Sequence, residues 1–220
     1  MKRLNVVQMG LGPIGNKVTQ FLAERAGIEI VGAIDADPAK AGQDIGVLAG
    51  LTPLNVKVTA DMRQVLGQGG IDAVVLTTTS SLASTYEQLG QILPFGVNVV
   101  SSCEELSYPW LANNALATKI DKLAKDNNAV VLGTGVNPGF LMDFLPVVMS
   151  GICRNVRKVL VERFQDATFR RLPFQKKIGA GLTVPAFHAK VKEGTLRHVG
   201  LTESVQMIAS RLGWKLDRTE

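Results

Sequence analysis

The chain opens on a short apolar run, Leu4-Asn-Val-Val-Gln-Met9, that passes without a break into Gly10-Leu-Gly12-Pro13-Ile14-Gly15. Behind the glycines, Ile14, Val18, Phe21 and Leu22 recur at the spacing of one helix face. A second apolar run, Ile28 to Ile34, ends in Asp35. The alternation continues, predicting strands at 4–9, 28–35, 56–59, 71–77, 97–101 and 129–132 and helices over 13–26, 61–67, 82–93 and 109–127. Asp72-Ala-Val-Val-Leu-Thr-Thr-Thr79 has a continuous apolar core, as a strand covered on both faces requires. In 109–127, Leu116, Ile120, Leu123 and Ala124 form one stripe, and Lys119, Lys122 and Lys125 fall elsewhere. Strands and helices in this order predict an α/β fold: a doubly wound parallel sheet of the Rossmann type over residues 1–137.

Residues 138–220 read differently, as part of an α+β second domain. Phe140–Ser150 suggests a connecting helix, Val156–Val161 a strand, and Val184–Lys192 and Thr202–Arg211 helices. Trp214-Lys-Leu216 begins another alternating run. One or two strands make a poor independent sheet. The expectation is that the chain is a fragment of a longer protein, or that another subunit completes the sheet.

Composition narrows the function classes. Hydrophobic residues make up 46% of 220, enough for a full core. The first strand begins at Leu4, which leaves no room for a targeting peptide, and no apolar run reaches membrane-spanning length. Two cysteines, Cys103 and Cys153, argue against a disulfide framework and for the cytoplasm. The net charge of +5 is uneven: Arg154–Lys177 holds eight basic and two acidic residues, so the rest of the chain is slightly acidic. Interleaved aromatics or a known module would mark a nucleic-acid binder, and neither is evident. An anionic substrate or cofactor phosphates explain the basic stretch better.

The glycine run has a mechanical reading. Gly10 allows a tight turn, Gly12 lets the backbone approach a pyrophosphate, and Gly15 lets helix pack on strand, with Pro13 and Ile14 between them. Asp35, 20 residues past Gly15, can accept hydrogen bonds from ribose hydroxyls and should disfavour a 2′-phosphate. This points to NAD or NADP as cofactor, with NAD favoured and Lys40 softening the preference. Ligands of such sheets sit at the carboxyl ends of the strands. That brings forward Thr77, Thr78 and Thr79, then Ser101–Glu105, then Gly133–Gly139. Glu104 and Glu105 at a strand end invite proton chemistry, although a solvated helix start fits as well. Cys103 could be a nucleophile, but a small buried residue is the simpler reading. Asn137, in the Gly133-Thr-Gly-Val-Asn-Pro-Gly-Phe140 loop, could orient a carboxamide or a substrate. Arg163 and Gln165 would share one strand face, where a guanidinium could hold a carboxylate. No metal-ligand set is read.

Several segments together are specific: the glycine run, Gly42-Gln-Asp-Ile-Gly46, Cys103-Glu-Glu-Leu106-Ser-Tyr-Pro109, Asn137-Pro-Gly-Phe-Leu-Met-Asp143, Leu172-Pro-Phe-Gln-Lys-Lys-Ile-Gly-Ala-Gly-Leu182 and His198-Val-Gly-Leu-Thr-Glu-Ser204. They resemble the 2,4-diaminopentanoate dehydrogenases and native amine dehydrogenases, in the dihydrodipicolinate reductase-like superfamily. Members are longer than this chain. The resemblance implies NAD(P)-dependent oxidative deamination of a small amine or diamino acid to a ketone or aldehyde plus ammonia, with reductive amination as the reverse. It implies Glu104 as the catalytic carboxylate, Glu105 as the second choice, Asn137, Arg163 and Gln165 near the substrate, and a homodimer. Dihydrodipicolinate reductases themselves carry a His-His-x-x-Lys motif. Here the histidines are His188 and His198, which argues against that activity. An imine or semialdehyde reductase and a non-catalytic dinucleotide-binding module remain as alternatives.

Overall fold

The computed structural model describes residues 3–164, 166–169, 172–196 and 199–219. Its centre is a parallel sheet of strands β1 (Leu4–Met9), β2 (Ile28–Ile34), β3 (Val58–Thr59), β4 (Ala73–Leu76), β5 (Asn98–Ser101) and β6 (Val131–Gly133), in the order β3-β2-β1-β4-β5-β6. The chain winds outward from β1 in one direction, returns, and continues from β4 in the other. The register sets Met9 beside Ile34 and Leu76, Leu76 beside Ser101, and Ser101 beside Gly133. All strands therefore release their chains along one edge, with Gly10, Asp35, Thr77, Ser102 and Thr134 next in line.

The pleat explains why the strands are apolar throughout. Val7, Met9, Val74, Leu76 and Val99 belong to one buried cluster with Leu89, Ile92 and Ile120, whereas Val6, Ile30 and Ala33 belong to another with Leu11, Ile45 and Val58. Helices α1 (Pro13–Ala23), α2 (Ile45–Leu48), α3 (Met62–Leu66), α4 (Leu82–Ile92) and α5 (Asn114–Asp126) connect the strands. Asp44, Asp61 and Ser81 cap α2, α3 and α4 with their side chains.

The predicted face of α1 is corrected by the structure. Ile14 and Phe21 are exposed, and the inward face carries Gly15 and Thr19. Gly15 must lie against the turn that precedes the helix, which turns Ile14 and Phe21 outward, whereas Val18 is half-buried and Leu22 packs on the core as predicted. The Phe21 ring receives the Lys17 ammonium, 4.9 Å from its centroid, instead of a core. Helix α5 starts at Asn114, five residues later than its periodicity suggests, because residues 109–113 form a separate turn closed by Asn113 N–H on the Pro109 carbonyl. Strand β6 is shifted to 131–133 because the Val130 N–H is taken by the Asn98 side chain.

After the sheet come α6 (Phe144–Ser150), α7 (Leu172–Lys177), α8 (Val184–Lys192) and α9 (Leu201–Arg211), with α6 packed on α9. Helix α6 begins at Phe144, where Asp143 caps it, so only the second part of the predicted 140–150 segment is helical. The strand predicted at Val156–Val161 is not formed. A strand needs a neighbour for its N–H and C=O groups, and none stands beside this segment among the described residues. Trp214–Leu216 is irregular for the same reason. No helix is long and apolar enough to cross a membrane among the described residues.

Asp44 gives a stability test. Its carboxylate accepts N–H bonds from Gly46, Val47, Leu54 and Val56. Burial raises its pKa, but these four bonds outweigh burial and hold it below the ordinary carboxylate value. Replacing Asp44 by Ala should lower stability at neutral pH by about 1–2 kcal/mol in urea unfolding. The wild-type advantage should be full above about pH 4, the unfolded value, and vanish as pH falls through the lowered folded value.

Candidate active site at the carboxyl edge of the sheet

The turn from β1 to α1 is closed from below. Gly10 has φ +89°, and a Cβ there would meet the Thr77 carbonyl oxygen at 2.8 Å. A Cβ on Gly15 would run into the Gly10 carbonyl oxygen. That carbonyl is held twice more: Gln8 Nε2 donates to it at 3.0 Å, and Thr77 Oγ1 donates to it at 2.8 Å. Gln8, fully buried, also bonds Thr77 Oγ1. Sequence reading passed over Gln8. Its signal was a lone amide within the apolar run of β1.

Above this closed side the turn is open. Gly12 is the N-cap of α1, and a Cβ there would meet nothing within 4 Å. No side chain caps α1. The uncapped N–H groups of the first turn and the open Gly12 suit a pyrophosphate. Pro13 fits at the first helical position, and Ile14 faces outward.

Asp35 stands at the next strand end. Leu11 N–H donates to its carboxylate at 2.6 Å, Asp37 N–H at 2.9 Å and Lys40 Nζ at 3.0 Å. Burial raises its pKa, but the Asp37 and Leu11 N–H groups and the Lys40 ammonium outweigh this and keep the group ionised and below the usual range. The three threonines after β4 shape the adjoining wall. Thr77 braces Gly10, Thr78 donates to Gln88 Oε1 at 2.6 Å, and Thr79 Oγ1 accepts from Ser81 N–H at the start of α4.

The two glutamates after β5 separate by environment. Glu105 Oε2 accepts from Leu82 N–H at 2.8 Å and so helps to start α4. Glu104 is half-buried, and among the described residues its carboxylate has no hydrogen-bond or ion-pair partner. Cys103 is fully buried, and burial pushes its thiol up, so the nucleophile reading falls away. The loop after β6 starts against the Glu104–Leu106 turn, because Gly133 packs directly on the Leu106 carbonyl. Within that loop, the Asn137 side-chain oxygen is buried without a hydrogen-bond partner among the described residues.

Helix α9 closes the site from the second half of the chain. Gly200, its N-cap with φ +98°, lies against Pro138, and a Cβ at Gly200 would sit 3.3 Å from Glu104 Cβ. Asp143, fully buried, accepts from Gly139 N–H at 2.8 Å and Phe144 N–H at 2.6 Å, and Ser204 Oγ donates to it at 2.9 Å. Asp143, Gly200 and Ser204 were visible only as members of familiar motifs, with no role attached. Arg163 is exposed on an irregular segment rather than on a strand face. Gln165 and His198 lie outside the described residues.

A parallel sheet wound both ways from β1, with an open glycine turn at a helix start and an acid at the next strand end, defines a nucleotide-binding Rossmann domain. Two family models match the chain: dihydrodipicolinate reductase, N-terminus, over residues 4–104, and 2,4-diaminopentanoate dehydrogenase C-terminal domain over residues 140–220. The chain is 36% identical over 220 residues to a 2,4-diaminopentanoate dehydrogenase of Acetoanaerobium sticklandii, covering 98% of this chain and 62% of that protein. It thus spans about three fifths of the length of that relative. Its fold superposes on an amine dehydrogenase from Mycobacterium smegmatis with a TM-score of 0.77 and 28% identity, covering 98% of this chain and 63% of that one. GenD2 from gentamicin A biosynthesis, solved in complex with NAD, shares the fold at a TM-score of 0.51 and 19% identity over 68% of this chain and 38% of its own. Over nearly its whole length the chain is similar to a 2,4-diaminopentanoate dehydrogenase, and its second half matches the C-terminal domain model of that family.

The second and third glycines of the turn, Gly12 and Gly15, should respond differently to the same methyl group. Gly12→Ala should keep stability within about 1 kcal/mol and weaken dinucleotide binding at least about tenfold, measured by calorimetry. Gly15→Ala should lower stability by about 1–3 kcal/mol by thermal melting, because the methyl has no space.

Proposed function

We propose that the chain carries the cofactor site and the catalytic carboxylate of an NAD(P)-dependent amine dehydrogenase. The reaction converts a small amine or diamino acid to a ketone or aldehyde plus ammonia, and reductive amination is the reverse. The observation that carries this reading is Glu104: a carboxylate at the ligand edge, without a partner among the described residues, on the same sheet edge as the loop that holds the unpartnered oxygen of Asn137. Acceptors left open at such a site suit a cation with N–H donors.

The residues present fit a dinucleotide. The first turn of α1, with Gly12, would hold the pyrophosphate, and Asp35 would accept from the adenosine ribose. The nicotinamide, when bound, supplies the hydride acceptor. Glu104 takes a proton from the substrate ammonium, so that a nitrogen lone pair can assist departure of hydride from the adjacent carbon. Once Glu104 has passed that proton on to water, its carboxylate again faces the iminium formed on the substrate, which water hydrolyses to carbonyl and ammonium. Asn137 Oδ1 accepts a substrate N–H and fixes the nitrogen. Glu105, already bonded at α4, orients the turn that presents Glu104. The exposed free thiol of Cys153 fits a reducing cytoplasm.

The match of residues 4–104 to a reductase domain keeps one other reading in view, an imine or semialdehyde reductase. Release of ammonia in step with reduced cofactor separates the two, because only amine dehydrogenation produces it.

Glu104→Ala should abolish turnover while leaving dinucleotide affinity nearly unchanged. A rate within about tenfold of wild type, ~1.4 kcal/mol of barrier, would show that Glu104 is not the catalytic carboxylate. For the cofactor, Asp35 should favour NAD, and the Lys40 ammonium should soften the bias. Lys40→Ala should therefore widen the NAD preference in kcat/KM. A strong wild-type preference for NADP would exclude the role given to Asp35.

A further inference from the structure

We propose that Ser204 is a positioning residue that acts through Asp143: together they hold the Asn137–Pro138 segment against the point where α9 meets Glu104. The proposal rests on the amine dehydrogenase reading, in which Glu104 and Asn137 meet the substrate nitrogen. It adds two residues that touch neither substrate nor cofactor. Asp143 is fully buried, and Ser204 is 3% exposed. Asp143 Oδ1 accepts from Phe144 N–H, and its Oδ2 accepts from both Gly139 N–H and Ser204 Oγ. The two N–H donors lie within four residues of Asp143 and serve its own loop and the cap of α6. The hydroxyl comes from α9, 61 residues away. Its contribution is therefore the placement of one segment against another.

The contacts close a ring. Ser204 N–H donates to the Gly200 carbonyl at 3.1 Å, one turn back along α9. A Cβ at Gly200 would stand 2.5 Å from the Pro138 ring and 3.3 Å from Glu104 Cβ. Pro138 leads into Gly139, whose N–H returns to Asp143 and so to Ser204. Asn137, the residue before Pro138, is carried by this ring. The loop moves as a unit, because Leu141 N–H donates to the Val136 carbonyl at 2.9 Å and Gly139, with φ +116°, lies directly on the backbone of Thr134 and Gly135. Without the hydroxyl, Asp143 Oδ2 keeps only the Gly139 N–H, and nothing polar ties α9 to the loop through Asp143. The Asn137 oxygen, buried without a partner among the described residues, would then meet the substrate nitrogen at a changed distance from Glu104. A misplacement of about 1 Å can cost about a hundredfold in rate.

The test uses the whole chain with NAD, as Ser204→Ala, Asp143→Asn and the double variant. The amine is 2,4-diaminopentanoate or 2-aminobutane, whichever wild type oxidises faster. In Ser204→Ala, kcat should fall at least tenfold, with the amine KM within threefold and NAD affinity by calorimetry within twofold of wild type. Asp143→Asn should lower kcat at least as far, and adding Ser204→Ala to it should cost less than threefold more, because the two act as one. A smaller fall of kcat in Ser204→Ala overturns the proposal. A loss shared by kcat, KM and NAD affinity also overturns it, since that would show a role in folding only. A larger further loss in the double variant would show that Ser204 does not act through Asp143, and overturns it too. If Ser204→Ala does not fold, Asp143→Asn decides on the same split between kcat and KM. If neither folds, the role is in folding only and the proposal fails. If wild type oxidises no amine, the dehydrogenase reading fails separately, and amide hydrogen exchange then judges the tie between α9 and the loop. Exchange over residues 134–141 at least tenfold faster in Ser204→Ala, with the sheet unchanged, supports it, and any smaller change overturns it.

Discussion

The closure of the β1–α1 turn governs everything at the carboxyl edge. Gly15 lies on the carbonyl of Gly10, and Gln8 and Thr77 both donate to that same oxygen. The Gly10 N–H is meanwhile bonded to the Ile34 carbonyl. One residue thus joins β1 to β2, β4 and α1 at once. A buried, donor-matched carbonyl is rigid because any displacement would leave an unpaired polar group in a low-dielectric interior. The direction of α1, and so the direction of its open N–H groups, follows from this contact.

The second half of the site depends on a different buried group. Asp143 accepts two backbone N–H bonds from its own loop and one hydroxyl from Ser204, 61 residues away in sequence. It converts a loop beyond β6 and the start of α9 into one wall. The strand-end carboxylates then divide by their partners. Asp35 has three donors and is held as an anion that can orient neutral hydroxyls. Glu104 has none among the described residues, and its chemistry is left for a ligand. In the proposed reaction, two carboxyl groups on one edge of a sheet take opposite uses because of this difference.

The strands of the sheet were legible because burial on both faces leaves a continuous apolar run, a signal that needs no knowledge of partners. The glycine turn and Asp35 were legible because steric limits at those positions are local. The face of α1 was misread because hydrophobicity pointed to Ile14 and Phe21, while the close approach at Gly15 dictated the packing. Val156–Val161 was misread because its β-branched alternation is a strand propensity, and propensity becomes a strand only where a neighbour supplies hydrogen bonds. Glu105 and Glu104 were nearly equivalent as letters. Only the position of Leu82 N–H distinguishes them.

By itself the sequence determined the sheet, its winding, the glycine turn and the edge on which chemistry gathers, since each follows from short-range sterics or from the period of apolar residues. It also carried the resemblance to 2,4-diaminopentanoate dehydrogenases through motifs spread over the chain. The tertiary structure decided which apolar face of α1 is inward, which glutamate is engaged at α4, and that Gly200 approaches Glu104 from about a hundred residues away. Those outcomes rest on hydrogen-bond partners and close contacts between distant segments. No local pattern encodes them, because the donor or carbonyl that settles each one belongs to another part of the chain.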